Sequence, residues 1–273
     1  TMWAACVVLA CYVIKILCFP RTCRKEYENV IFCSLYPGFA MVMMILGSYF
    51  LDYVPGFGKG LFFVGLAIHG GHILVFTYRN VIRKREVETF VPSWFVTYNG
   101  ILVSCVVGVP MDALPILRVV VCYGIAVYFV LIFLLIWRLI RVEIQHAFYH
   151  TMAVVLAPCS LCLVGYLNVI VNKNGILAWV LYACVISSLI FVISMLPKFF
   201  SFRFAPGFAA MTFPMAIGTV ASMKMSEYLS AAGYDRIAFV TGQISGIQIY
   251  LTTMIIGFVL LRFLMMALRV KER

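Results

Sequence analysis

The sequence predicts an all-α, polytopic membrane protein made of repeated helical hairpins. Three observations carry that prediction. Only 11% of the 273 residues are charged while 64% are apolar, too little charge to cover the surface of a water-soluble domain. The apolar residues are gathered in blocks of about twenty, the length of helix that crosses roughly 30 Å of hydrocarbon. Prolines then recur in alternate blocks, at Pro37, Pro92, Pro158 and Pro214.

Nine spans follow in order: 2–19, 28–51, 60–78, 90–110, 116–138, 148–170, 175–196, 204–224 and 236–266. Lipid offers the backbone no hydrogen-bond partners, so each span must be a helix or a strand of a closed barrel. Barrel strands alternate apolar and polar residues over about ten positions. The run VLIFLLIW at 130–137 shows no such alternation, and the helical reading stands. Residues 1–273 are expected to form a single transmembrane domain. The first segment has no basic flank before it and no small-residue cleavage site after it, so it reads as a span and not as a cleavable signal.

The loops alternate in charge. One side carries Arg21, Arg24, Lys25, Arg79, Arg83, Lys84, Arg85, Arg138, Arg141, Lys198, Arg203, Arg262, Arg269, Lys271 and Arg273, with Lys15 nearby. The other carries only Lys59, Arg118, Lys173, Lys224 and Arg236. The positive-inside rule makes the first side cytoplasmic. The C-terminus is therefore expected inside, in a plasma (inner) membrane. The net charge of +11 reflects this topology and not nucleic-acid binding, and the basic excess would favour anions at the inner mouth.

The prolines define a repeat of one proline-kinked helix followed by one unbroken helix. The spans at 60–78, 116–138 and 175–196 contain no interior proline. Because spans alternate in direction, every kinked helix runs the same way, which makes the repeats parallel. Proline in a helix interior removes a hydrogen bond and costs about 3 kcal/mol in water. In lipid the freed carbonyls need protein or water beside them, which puts the kinked helices in an inner ring around a cavity. Gly38, Gly47, Gly100, Ser104, Ser160, Gly165, Gly218 and Ser222 follow the prolines and allow close backbone approach. The span 2–19 is unbroken and so reads as the second half of a unit. That implies a five-unit, ten-helix plan with a gap beside 2–19; the alternative is a nine-helix protein.

Chemistry-bearing residues are sparse. Most cysteines lie in apolar stretches, where Cys is a small hydrophobe, and the Cys159–Cys162 pair has no second pair or histidine to complete a metal site. His69 and His72 share a helix face and are expected to hydrogen-bond between helices or subunits. His146 and His150 read as interfacial anchors. All ten acids map to loops or span ends, whereas proton-coupled carriers usually keep an ionisable residue within the membrane. No HExxH, paired intramembrane carboxylates or Ser–His–Asp set is present, so neither an enzyme, a metal nor a cofactor is expected. The alternatives are an anion pore and a secondary carrier.

The segments FVPSWFVTYNGILVS (90–104), LAPCSLCLVGYL (156–167), FAAMTFPMAIGTVASMK (208–224) and, more weakly, FCSLYPGFAMVMMILG (32–47) resemble the tellurite-resistance/dicarboxylate transporter family, which includes bacterial TehA and the slow-type anion channels of plant guard cells. The likeness runs through nearly all of 2–266, without a counterpart of the family's first helix. It implies five hairpins around a central pore, odd-numbered family helices inside, and commonly a homo-trimer in the lipid bilayer. It also implies a phenylalanine plug at Phe213, and by proline alignment pore-lining positions at Tyr36 and Tyr98. Thr212 either presents its hydroxyl to the same lumen or bonds back to its own helix. The expected activity is a channel or channel-like uniporter for small inorganic or organic anions; the alternative is a proton-coupled carrier of C4-dicarboxylates or tellurite.

Overall fold

The computed structural model describes residues 2–83, 90–141 and 146–269, and among them every regular element is helical. Lys84, Arg85, Lys271 and Arg273 and the acids Glu86, Glu88, Glu143 and Glu272 lie outside the described residues. The chain divides into two compact units, 1–141 with 168–171, and 142–167 with 172–273.

In the first unit, α1 (Met2–Cys18) is followed by a helix where a basic loop was expected. This α2 (Pro20–Glu28) is set at 97° to α1. Pro20 can open it because the first helical N–H has no intrahelical partner, and a helix carrying Arg21, Arg24, Lys25, Glu26 and Glu28 cannot follow α1 through hydrocarbon. Lys15 closes the elbow with a 2.8 Å ion pair to Glu26. Asn29 caps α3 (Val30–Leu35) by accepting from the Ile31 and Phe32 amides at 3.0 and 3.2 Å, and the chain restarts after Pro37 as α4 (Gly38–Leu51).

Helix α5 (Pro55–Phe76) returns against α4 and ends in a π-helical stretch, Thr77–Arg83. Backbone meets backbone in this hairpin. A Cβ built on Gly58 would lie 2.6 Å from the Leu51 amide nitrogen, and one on Gly47 2.7 Å from that of Phe62. The next expected span is fragmented into α6 (Trp94–Tyr98), 3-10 turns at Gly100–Leu102 and Val109–Met111, and α7 (Val103–Val107) between them. Asp112, at φ 59°, turns the chain into α8 (Leu114–Arg141).

The second unit opens with a 3-10 stretch, His146–Val155, leading into α9 (Leu156–Val169). Asn174 caps α10 (Gly175–Ser201). A second 3-10 stretch, Pro206–Met211, leads into α11 (Thr212–Ala231). Gly233, at φ +81°, ends α11: the Tyr234 amide donates to Leu229 and the Gly233 amide to Ser230, the paired bonds of a Schellman cap. Helix α12 (Asp235–Arg269) packs back along α11. Its buried residues Ala238, Thr241, Ser245, Gln248, Thr252, Ile255 and Val259 follow alternating steps of three and four, a coiled-coil seam.

Six of these helices or helix runs are long and apolar enough to cross a membrane: 30–51, 55–83, 114–141, 149–169, 175–201 and 235–268. The other three expected spans correspond to α1, to the fragmented 94–111 and to α11. The prolines mark breaks by starting helices and not by bending them. Pro158 and Pro214 are each the third residue of an α-helix that follows a 3-10 stretch, within the first turn, whose N–H groups have no intrahelical partner. Pro37 directly precedes α4, and Pro92 stands two residues before α6. Helix α10 runs through Pro197, past the expected end at 196. The broken runs 149–169 and 30–51 are the more buried over their most apolar stretch, at 94% and 56%, against 17–39% for the continuous helices.

Candidate functional site

A broken helix in an apolar setting must place its freed carbonyls somewhere, since unpaired buried polar groups are costly. Around the first break, neighbouring side chains take them. Pro37 has no N–H, and the carbonyl of Ser34, three residues earlier, accepts the Thr97 hydroxyl at 3.0 Å. Thr97 itself lies just before the α6 break, and its carbonyl accepts His69 Nε2 at 3.0 Å. The carbonyls of Cys105 and Val106, at the end of α7, accept the Asn168 amide, both at 3.3 Å. The Asn99 amide donates to the Gly124 carbonyl of α8 at 2.8 Å.

These bonds fix direction. Because the Thr97 proton goes to Ser34, Thr97 accepts from His72 Nε2 (3.4 Å), which leaves His72 Nδ1 to accept the Tyr27 hydroxyl (2.9 Å). The tautomer is thus assigned by the network. A chain Tyr27–His72–Thr97–Ser34 results, with His69 beside it. His69 and His72 do bond between helices, as the lack of a further metal ligand on their span suggested. His150 differs from expectation. It is buried, its Nε2 3.2 Å from the Phe199 carbonyl and its ring 4.1 Å from that of Phe208, because the 3-10 stretch turns it into the core of its unit and not toward an interface. The His146 side chain lies outside the described ones.

The four expected pore side chains have distinct surroundings. Tyr36 is half-buried; its hydroxyl donates to Glu26 at 2.9 Å and its ring meets those of Tyr12 and Tyr27 edge-on. Tyr98 is buried, shares a 2.9 Å hydrogen bond with Thr77 and lies against Phe76 and Trp94. Thr212 donates to the Ala209 carbonyl at 2.8 Å, the back-bond that was one of its two options. Phe213 is half-buried at the start of α11, and makes no ring contact among the described residues. The three hydroxyls are committed, and Phe213 alone of the four has neither a hydrogen bond nor a ring contact among the described residues.

Sequence reasoning missed Thr97, Asn99 and Asn168. Their signal was present, since a polar residue inside an apolar span usually hydrogen-bonds to a neighbouring helix. It also missed the polar content of the α10–α12 core. Thr219 and Thr252 share a 3.1 Å bond and Ser226 donates to the Ala238 carbonyl at 2.7 Å. Gln248 is 1% exposed, and its amide has no partner among the described residues.

Residues 1–269 match a family model described as voltage-dependent anion channel. No curated protein matches the chain.

Proposed function

As the chain belongs to the voltage-dependent anion channel family, we propose that it is a channel for small inorganic or organic anions, with its pore among the proline-broken segments and Phe213 as the constriction. The family consists of channels and transporters, and the chain is an integral membrane protein. The reading adds one transmembrane domain, a homo-trimer, a plasma-membrane location and a cytoplasmic C-terminus.

The observation that carries the gate is the state of Phe213. It sits where a 3-10 stretch becomes α11, next to Pro214, half-buried and without a ring partner among the described residues. A hydrophobic side chain at a helix start can close a pore by excluding water. The test is Phe213→Ala in reconstituted vesicles, with chloride, nitrate and malate flux measured per folded molecule. Flux should rise for all three while their order is kept. If Phe213 were ordinary core, the same change would cost about 3–5 kcal/mol, and melting temperature would fall without a gain in flux.

The second reading is a proton-coupled carrier of C4-dicarboxylates or tellurite. The Tyr27–His72–Thr97 chain favours it, because it hydrogen-bonds an ionisable residue, His72, within the span 55–83. A saturating flux that follows the proton gradient and is lost in His72→Gln would favour the carrier. A conductance that follows the anion gradient alone would favour the channel.

A further inference from the structure

Beside α1 two cavities of opposite chemistry adjoin. One, of about 390 Å³, has an apolar and aromatic wall that includes Tyr12, Phe39, Ile68 and Val75. The other, of about 710 Å³, is bordered by Arg24, Arg79 and Arg83 with one carboxylate, Glu28. Ile16, Tyr27 and Tyr36 border both. We propose that the pair binds an anionic phospholipid, with its phosphate among the guanidiniums and an acyl chain along the apolar wall.

The charge balance points to an anion. Glu28 faces Arg24 at 3.6 Å, and Glu26 is committed to Lys15 and Tyr36. Arg79 and Arg83 have no carboxylate partner among the described residues. Arg79 is nonetheless held in place. It donates to the Tyr27 carbonyl and, at 3.3 Å, to Asn80 Oδ1, with its guanidinium carbon 4.9 Å from the Tyr27 ring centroid. Tyr27 is fixed in turn by His72. Two of the five guanidinium donors are used, leaving the rest of a fork suited to phosphate oxygens.

The apolar cavity selects a lipid over a free anion. A free phosphate would occupy only the basic cavity, whereas an amphiphile fills both, and Ile16, Ile68 and Val75 are open enough at 38%, 44% and 50% exposure for a chain to enter from the side. Basic residues next to a span attract anionic lipid head groups.

The test is native mass spectrometry of the delipidated full chain titrated with dioleoylphosphatidic acid, whose phosphomonoester offers the most acceptor oxygens. A basic residue near an anionic lipid contributes about five-fold in affinity, so Arg79→Gln with Arg83→Gln should weaken binding about thirty-fold. Arg203→Gln, which lines neither cavity, should change it by less than about two-fold. Dioleoylphosphatidylcholine should bind wild type and variants alike, and sn-glycerol 3-phosphate should bind wild type far more weakly than the lipid. Elution volume and melting temperature confirm folding; if the double variant misfolds, Arg24→Gln, on the exposed face of α2, replaces it with an expected five-fold loss. Equal phosphatidic acid binding by wild type and cavity variants would overturn the proposal. So would an equal loss in Arg203→Gln, and glycerol phosphate binding as tightly as the lipid would overturn the lipid assignment.

Discussion

Gly58→Ala tests whether the α4–α5 hairpin depends on backbone contact. The new Cβ would stand 2.6 Å from the Leu51 nitrogen, 2.7 Å from the Gly47 oxygen and 2.8 Å from the Leu51 Cα. All three are backbone atoms, so no side chain can swing aside. Reaching ordinary contact at 3.4 Å requires the helices to part by about 0.8 Å there, and a gap of that size forfeits about a quarter to a half of each dispersion contact. Overpacking of this kind costs about 1–3 kcal/mol, and replacing glycine in a helix returns up to about 1 kcal/mol, so with the cost at the middle of its range the net loss is about 1–2 kcal/mol. For a chain of this size that lowers the melting temperature by about 2–8 °C. Gly56 and Gly60 lie on the same helix, and a Cβ on either meets nothing within 4 Å. Their alanine variants should melt at or slightly above wild type in the same detergent. If Gly58→Ala melts together with Gly60→Ala, the helices are not held at backbone distance and the reasoning fails.

Three further outcomes follow from the polar groups. A double-mutant cycle of Thr219→Val and Thr252→Val, read by thermal melting, should give a coupling of about 0.6 kcal/mol, the usual size for a hydrogen bond between membrane helices; zero coupling would show that each hydroxyl finds another partner. Gln248→Leu removes an amide that has no partner among the described residues, and exchanging unpaired polar atoms for apolar ones of similar size is nearly neutral. It should melt at or above wild type, and a clear drop would reveal a hidden partner such as a bound water. The third is acid sensitivity. The Glu26 carboxyl is held below its ordinary 4.5 by the hydrogen bond from Lys15 and then by that from Tyr36. A depressed folded value contributes stability above the unfolded one and loses it as pH falls through the folded one, so the elbow should weaken only below about pH 4.5 and not at all in Glu26→Gln. Both side chains are about one-third exposed, 37% and 34%, so the contribution is about 0–1 kcal/mol. Melting of both proteins at pH 6 and pH 3.5 measures it.

Helix class and the apolar blocks were legible because hydrophobicity is a local property, and α5, α8, α10 and α12 stand close to where composition put them. What was hidden depended on three-dimensional surroundings. The basic run Arg21–Lys25 read as a loop because its charge ruled out a span, yet charge does not forbid a helix that leaves the axis of α1. The prolines were legible as punctuation, but their place in a first turn was not, since a 3-10 approach such as Pro206–Met211 has no strong composition of its own. The pairing of His69 and His72 with other helices was read from the lack of a carboxylate or cysteine on their span to complete a metal pair. Their partner Thr97 was not, because a single hydroxyl in FVPSWFVTYNG shows nothing of what faces it across 28 residues.

The carbonyls at the breaks bear on which sign of ion such segments suit. Potassium-selective pores use bared backbone carbonyls as ligands, in place of the ion's water. Here the carbonyls of Ser34, Thr97, Cys105 and Val106 accept donors from Thr97, His69 and Asn168. Each bond withdraws a partial negative charge that would otherwise attract cations and repel anions. Thr212 covers the Ala209 carbonyl just before Pro214 in the same way, and Ser160 covers that of Leu156 at 2.6 Å beside Pro158. These donors are neutral, so the broken segments neither hold an anion strongly nor offer a cation a coordination shell. On the proposed reading of the broken segments as the pore, such neutral hydroxyl, imidazole and amide donors suit passage, in which binding must be weak enough to release the ion.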